Sequence, residues 1–507
     1  MTSAVVSTMS EHEPSALRSR AVRAVAWGYG GSFARMGVQI GAQAVLARLL
    51  GPEEFGVFAA LMLVIGVSVL ASDLVSAPII QAPALDDNML RFACAVQWAG
   101  ASGIALLSLG TLPLFERAFP AVSGLGWSMA MVAAGIFITG WGGVSLSLLR
   151  RGLRYREIQL AQLAGYVAGY ALIAVPLAFA GMHTHHVLVF AWLSQAFISS
   201  VLQYIWARHS LVASFRFEGW RSFMRYGGEI SIGNVANWVS TSIDRLLVAR
   251  HAAPMEIGYY NTMLNLMSTP VNQLSSSLNT VAFSVAAQSG SEERRQGTLV
   301  YLNITTLLFG LLYAVFAAAP ELWVGLLYGA RWLDAAPYLP PFCMAAVAFG
   351  LSAASGAMLT STGRGASSAV SQLATVALLA IAVWWLVERS VLWAAWGVAV
   401  VYLLRALLMA WLGLRLVGEG VGQLWRIVGV PLSLVLAQVV VSRACITGLE
   451  VMEVGPIAAG LAGTIAGLLS VLCCLAAARR VLVPTVTCAW SHEVWLKLRR
   501  RLERKNK

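Results

Sequence analysis

Stretches of about 20 mostly apolar residues recur from one end of this chain to the other, and this recurrence constrains the fold more than any other feature. A helix rises about 1.5 Å per residue, so ~20 residues cross the ~30 Å hydrocarbon core of a bilayer. Barrel strands alternate apolar and polar residues, and these runs do not. Only 11% of the 507 residues are charged and 58% are hydrophobic, against about 25% charged in soluble domains. A soluble fold of this length could not bury so much apolar surface. The expected class is all-α and integral to a membrane.

The runs fall near 24–47, 56–80, 92–114, 125–149, 160–181, 187–207, 227–249, 257–285, 299–328, 338–361, 367–387, 391–414, 425–444 and 456–482, about fourteen spans. Pro320 is expected to end or break the ninth. The chain is polar up to Arg23, with Glu11, His12, Glu13 and Pro14 ahead of any apolar run. A cleavable signal needs an early apolar core, so the first span is expected to stay in the membrane.

The net charge of +12 reads as a topology signal through its placement. If the N-terminus is cytoplasmic, the cytoplasmic loops and termini hold 26 of the 35 basic residues, Arg150, Arg151, Arg154 and Arg156 among them. The opposite loops hold six: Arg48, Arg117, Arg250, Arg331, Arg389 and Arg443. Such asymmetry sets both ends in the cytoplasm. No basic face interleaved with aromatics suggests a nucleic-acid partner. The basic tail, 484–507, suits either the anionic surface of membrane lipids or a plain solvated segment.

Ala47-Arg48-Leu49-Leu50-Gly51-Pro52-Glu53-Glu54-Phe55-Gly56 is echoed 202 residues later by Ala249-Arg250-His251-Ala252-Ala253-Pro254-Met255-Glu256-Ile257-Gly258. The offset covers six spans, an even number, so the halves share one orientation. Transporters built from parallel repeats place substrate between the halves.

Polar side chains in a span are costly and face a bundle interior or a wet cavity. Ser32, Arg35, Gln39 and Gln43 share one face of span 1. Asn234, Asn237, Thr241 and Asp244 do so in span 7, with Arg245 beside them, and Asn261, Asn265, Ser268 and Asn272 in span 8. Span 2 has Ser72, Asp73 and Ser76. These four spans are equivalent pairs under the repeat. A cavity lined by Arg35, Gln39, Gln43, Asn234, Asn237, Thr241, Arg245, Asn261, Asn265 and Asn272 accounts for them; bonding between neighbouring helices is the rival account. Arg35 lies well inside span 1 and Arg405 inside span 12. A guanidinium suits an anion. Asp73 and Asp244 are candidates for coupling to an ion.

Arg48 to Gly56, Ser242 to Arg250 followed by Gly258-Tyr259-Tyr260, and Leu148-Leu149-Arg150-Arg151-Gly152-Leu153-Arg154-Tyr155-Arg156 resemble signature features of bacterial polysaccharide flippases of the Wzx/PST type, over about residues 20–480. The resemblance implies the superfamily of multidrug and oligosaccharidyl-lipid exporters, with two six-helix lobes around a central cavity. It implies an N-terminal segment 1–22, lobes 23–208 and 209–416, an extra helix pair 417–483 and the tail. It implies an inner-membrane flippase moving an oligosaccharide on polyprenyl pyrophosphate to the periplasmic leaflet for exopolysaccharide, capsule or O-antigen assembly. Arg35 is then the first candidate for the pyrophosphate. Polysaccharide polymerase and export machinery are the implied partners, with no cofactor.

An ion-coupled multidrug or metabolite exporter of the same fold is the alternative. A membrane enzyme would need carboxylates or a histidine base on a sizeable loop. Asp86 and Asp87 sit on a short turn and read as solvated. His183, His185 and His186 have no acidic partner nearby in sequence, so no metal site is expected. The six cysteines read as small core residues.

Overall fold

The computed structural model describes residues 13–477 apart from 68, 121, 289–290 and 362–363; the tail 484–507 lies outside the described residues. The described residues form helices and turns, with no strand among them. They divide into two compact units at Gly258 and Tyr259.

The first unit begins with α1 (Glu13–Leu50), α2 (Pro52–Val67) and α3 (Val69–Gln81). Gly51, at φ +91°, ends α1, and Pro52 with Glu53 and Glu54 opens α2. Glycine tolerates the left-handed region, proline suits a first turn, and acidic side chains suit the positive end of the helix dipole. The motif at 50–54 is thus helix punctuation. Next come α4 (Asp87–Gly110), α5 (Leu112–Ala118), α6 (Leu125–Arg151) and α7 (Tyr155–Tyr166). A π-helical stretch, Val167–Ala174, joins α7 to α8 (Val175–Phe179); α9 (His186–Ala207) and α10 (Trp220–His251) follow.

Helix α10 packs along α2 and α3, and glycine lets them approach. A Cβ on Gly66 would strike the Trp238 indole, and one on Gly227 would strike the Leu74 carbonyl. Small residues replace hydrophobic driving force where both faces could equally meet lipid. Val75, Ile79, Phe92, Val144 and Phe223 form a core shared by α3, α4, α6 and the start of α10.

Helix α11 (Pro254–Gln288) opens at the end of this unit and runs into the second, unbroken by Pro270. The second unit continues with α12 (Ser291–Ala318), α13 (Pro320–Tyr328), a 3-10 stretch Ala330–Tyr338, and α14 (Leu339–Ser361). Pro320 does end the ninth span: α12 stops at Ala318 and α13 starts at the proline. Then come α15 (Gly365–Val387), α16 (Val391–Leu416), α17 (Val421–Leu424), a π-helical Trp425–Gly429, α18 (Val430–Val451) and α19 (Pro456–Ala477). Leu302, Leu351, Ala406 and Leu414 lie at the core, and α18 packs against α12. Helix α19 meets α18 through Gly463 and Gly467, at the Ser442 and Gln438 backbone.

Ten stretches among the described residues are long and apolar enough to cross a membrane, corresponding to expected spans 3–6 and 9–14. The helices at spans 1, 7 and 8, namely α1, α10 and α11, are long but more polar, and span 2 is divided between α2 and α3 at residue 68, which lies outside the described residues.

Candidate functional site

Helix α1 lies along α7 and α8, so part of its polar face meets protein. Arg35 donates to the Gln162 carboxamide, and Gln159 donates to the Ser32 hydroxyl at 3.4 Å. These pairs repeat one turn apart along the α1–α7 contact. Gly31 permits it, because a Cβ there would strike Gln159. The sequence suggested an anion for Arg35; the residue found is a neutral amide, which leaves the positive charge uncompensated by Gln162. Gln39 and Gln43, further along α1, are half-buried.

On α10, Asn234 and Arg245 are half-buried, Asn237 and Thr241 are exposed, and Asp244 is buried. The Thr241 hydroxyl turns back on the Asn237 and Trp238 carbonyls at 3.1 Å, which withdraws its donor from the open face. Helix α10 is held by α2 and α3, and α1 by α7 and α8, so the two helices take part in separate contacts within the first unit. The side chain of Asp73 lies outside the described residues.

In the second unit, Asn261 is buried, Asn265 half-buried and Asn272 exposed. Tyr301 donates to Asn279 at 2.6 Å, and Tyr313 donates to the Met267 carbonyl at 2.6 Å. One edge of α11 is therefore fastened to α12 by tyrosines. Arg405 on α16 is half-buried.

The loop features resolve into helix clamps. Arg151 donates to the carbonyls of Ile79 at 2.9 Å and Ala82 at 2.6 Å, capping the C-terminus of α3. Arg154 donates to the Trp206 carbonyl at 2.8 Å, at the end of α9, and pairs with Glu157 at 3.1 Å. Cations suit the negative ends of helices. Asp86 caps α4, accepting from the Met89 amide at 2.6 Å, and Asp87 pairs with Arg91 at 3.1 Å. Both aspartates are exposed, as the sequence suggested, and Asp86 is a cap as well.

The histidines do have an acidic partner, remote in sequence. Glu54 accepts from the His185 amide and lies 3.1 Å from its Nδ1, while His186 Nδ1 lies 2.8 Å from the Ser128 hydroxyl. The second glutamate of the 50–54 motif thus anchors the start of α9. No group of three metal-ligating side chains occurs among the described residues.

Cys94, His209 and Ser145 resemble a nucleophile with its base. Nδ1 of His209 lies 2.9 Å from the Ser210 carbonyl, which can only accept, so this nitrogen carries the proton. Nε2 accepts from Ser145 at 2.9 Å. The buried Cys94 donates to the same carbonyl at 3.8 Å, and Nδ1, 3.9 Å away, has no lone pair with which to take its proton. The cluster ties the 208–219 loop to α4 and α6. Cys343 is buried as expected, but Cys473 is exposed, because its side of α19 faces outward.

Among the described residues, a helical bundle with ten stretches long and apolar enough to cross a membrane, and polar faces on other long helices, defines a multi-pass membrane protein. The polysaccharide biosynthesis protein family matches residues 45–337, more than half of the chain, which therefore belongs to that family, as its signature motifs suggested. The chain is 25% identical over 384 residues to the succinoglycan biosynthesis transport protein ExoT of Rhizobium meliloti (strain 1021), covering 73% of this chain and 72% of that protein. It is 24% identical over 205 residues to the teichuronic acid biosynthesis protein TuaB of Bacillus subtilis (strain 168), covering 39% of this chain and 42% of that one. Its fold is that of the lipid II flippase MurJ in an inward closed conformation, with a TM-score of 0.68 at 13% identity over 87% of this chain and 96% of that one. An inward-facing multidrug transporter of the MATE family matches with a TM-score of 0.54 at 16% identity, over 77% and 94%.

Proposed function

We propose that this protein is a flippase that moves an oligosaccharide unit on polyprenyl pyrophosphate from the cytoplasmic to the periplasmic leaflet of a bacterial inner membrane, with both termini in the cytoplasm. The lobes 23–208 and 209–416 rock about a central cavity, and the unit passes to polymerase and export machinery. The carrying observation is that the helices at spans 1, 7 and 8 are long, continuous and more polar, in a chain of the polysaccharide family. Such faces need water or a polar guest. Arg35, Gln39, Gln43, Asn234, Asn237, Thr241, Arg245, Asn261, Asn265 and Asn272 bind the guest in this reading. Amides suit sugar hydroxyls, and Arg35, whose described partner Gln162 is neutral, suits the pyrophosphate. Asp73 and Asp244 are the groups proposed to couple transport to an ion. The relatives named for succinoglycan and teichuronic acid concern different polymers, which fits a common lipid carrier and a variable sugar.

Reconstitution tests this. Vesicles holding the purified protein and a fluorescent polyprenyl-pyrophosphate oligosaccharide should exchange label between leaflets faster than empty vesicles. Exchange at the empty-vesicle rate, with cationic dyes transported instead, would replace this reading by multidrug export.

A further inference from the structure

The first unit carries a recess whose walls are almost wholly apolar. About 440 Å³ of space lies between α2, α4, α5 and α10, with Leu63, Val64, Ile104, Leu107 and Phe115 among its walls and Arg250 at one end. Two hydroxyls line it, and both are turned away: Ser108 donates to the Ala105 carbonyl at 2.7 Å, and Thr111 to the Ser108 carbonyl at 2.6 Å. Water gains little in such a space, since it needs two to four polar partners. Leu107 and Leu114 on its rim are 72% and 63% exposed, on a stretch apolar enough to cross a membrane. The recess therefore opens toward hydrocarbon.

Its one lining charge is Arg250, exposed in the last turn of α10. Arg117, on α5, is exposed but does not line the recess. A single guanidinium balances a phosphodiester, which carries one negative charge, whereas a pyrophosphate calls for more than one cation. We propose that the recess binds an anionic glycerophospholipid, with one acyl chain among α2, α4, α5 and α10 and its phosphate on Arg250. This site is separate from the polar faces and does not depend on what the protein transports.

Native mass spectrometry of the detergent-purified full chain, titrated with palmitoyl-oleoyl phosphatidylglycerol, tests the assignment. One phosphatidylglycerol should stay bound under activation that strips the others, and phosphatidylcholine should bind more weakly. Arg250→Ala should weaken that adduct about tenfold, the worth of one charge-assisted hydrogen bond. Ala249→Trp should abolish it by filling the recess with Arg250 intact. Ala118→Trp, at an exposed wall position, repeats that test if Ala249→Trp does not fold. Wild-type binding by Arg250→Ala together with either tryptophan variant overturns the proposal. So does equal binding of the two lipids, or displacement of phosphatidylglycerol by an equal concentration of a polyprenyl pyrophosphate.

Discussion

Gly56 and Gly258, equivalent positions of the two repeat copies, lie against each other. A Cβ on Gly56 would sit 3.0 Å from the Gly258 amide nitrogen and collide with the Pro254 carbonyl; one on Gly258 would sit 3.2 Å from the Gly56 amide nitrogen and collide with the Pro52 carbonyl. The exchange is reciprocal, as in an isologous two-fold contact. It gives the repeated Pro-x-Glu-x-Gly spacing a physical reason: each proline carbonyl occupies the space left by the other copy's missing side chain. Backbone cannot swing aside as a side chain can. Gly56→Ala and Gly258→Ala should each cost about 1–3 kcal/mol, the usual cost of overpacking. Gly103→Ala, with no atom within 4 Å of the added carbon, is the control. Melting of the purified variants decides; midpoints equal to that of the control would contradict the close contact.

Arg35→Ala should lower leaflet exchange about tenfold or more, while Gln162→Ala, which keeps the cation, should stay within about threefold of wild type. Equal losses in both variants, with normal insertion, would make the Arg35–Gln162 pair a helix fastening rather than a substrate contact.

Arg151→Ala removes the cation from the last carbonyls of α3 and should destabilise the protein by about 1–2 kcal/mol. Arg151→Lys should recover only part, because one ammonium cannot spread over the carbonyls of Ile79 and Ala82 as the guanidinium does. Thermal melting with full recovery by lysine would refute the capping role.

His209, in the loop after α9, has its pKa lowered by burial, against a smaller opposing effect of its bond to the Ser210 carbonyl. The folded protein therefore prefers the neutral ring, and the unfolded chain binds the proton more readily. The contribution is complete above the ordinary histidine pKa of about 6.5 and is lost as pH falls through the lower folded value. The melting midpoint should drop on acidification below that point, and His209→Gln should flatten the profile. An unchanged slope in the variant would show that other groups dominate.

Glu292, outside the membrane-crossing stretches, is held below the usual carboxylate range by hydrogen bonds from Arg295 and Gln296. Its full exposure means solvent screens the pair, so Glu292→Gln should leave the melting midpoint within about 1 °C of wild type.

The sequence alone determined the solvent, the secondary structure and the repeat. Apolar length dictates membrane helices, and Pro320 and the Gly51-Pro52 punctuation act through local backbone sterics that need no tertiary partner. It also marked the polar faces of α1, α10 and α11, because helical periodicity survives translation into three dimensions. Only the tertiary structure decided what those residues touch. Arg35 finds Gln162, 127 positions away; Glu54 finds His185; Arg151 finds the end of α3. Each pairing depends on which helices lie side by side, and in lipid that choice rests on close packing at glycines and on satisfying polar groups. Neither leaves a periodic trace along the chain.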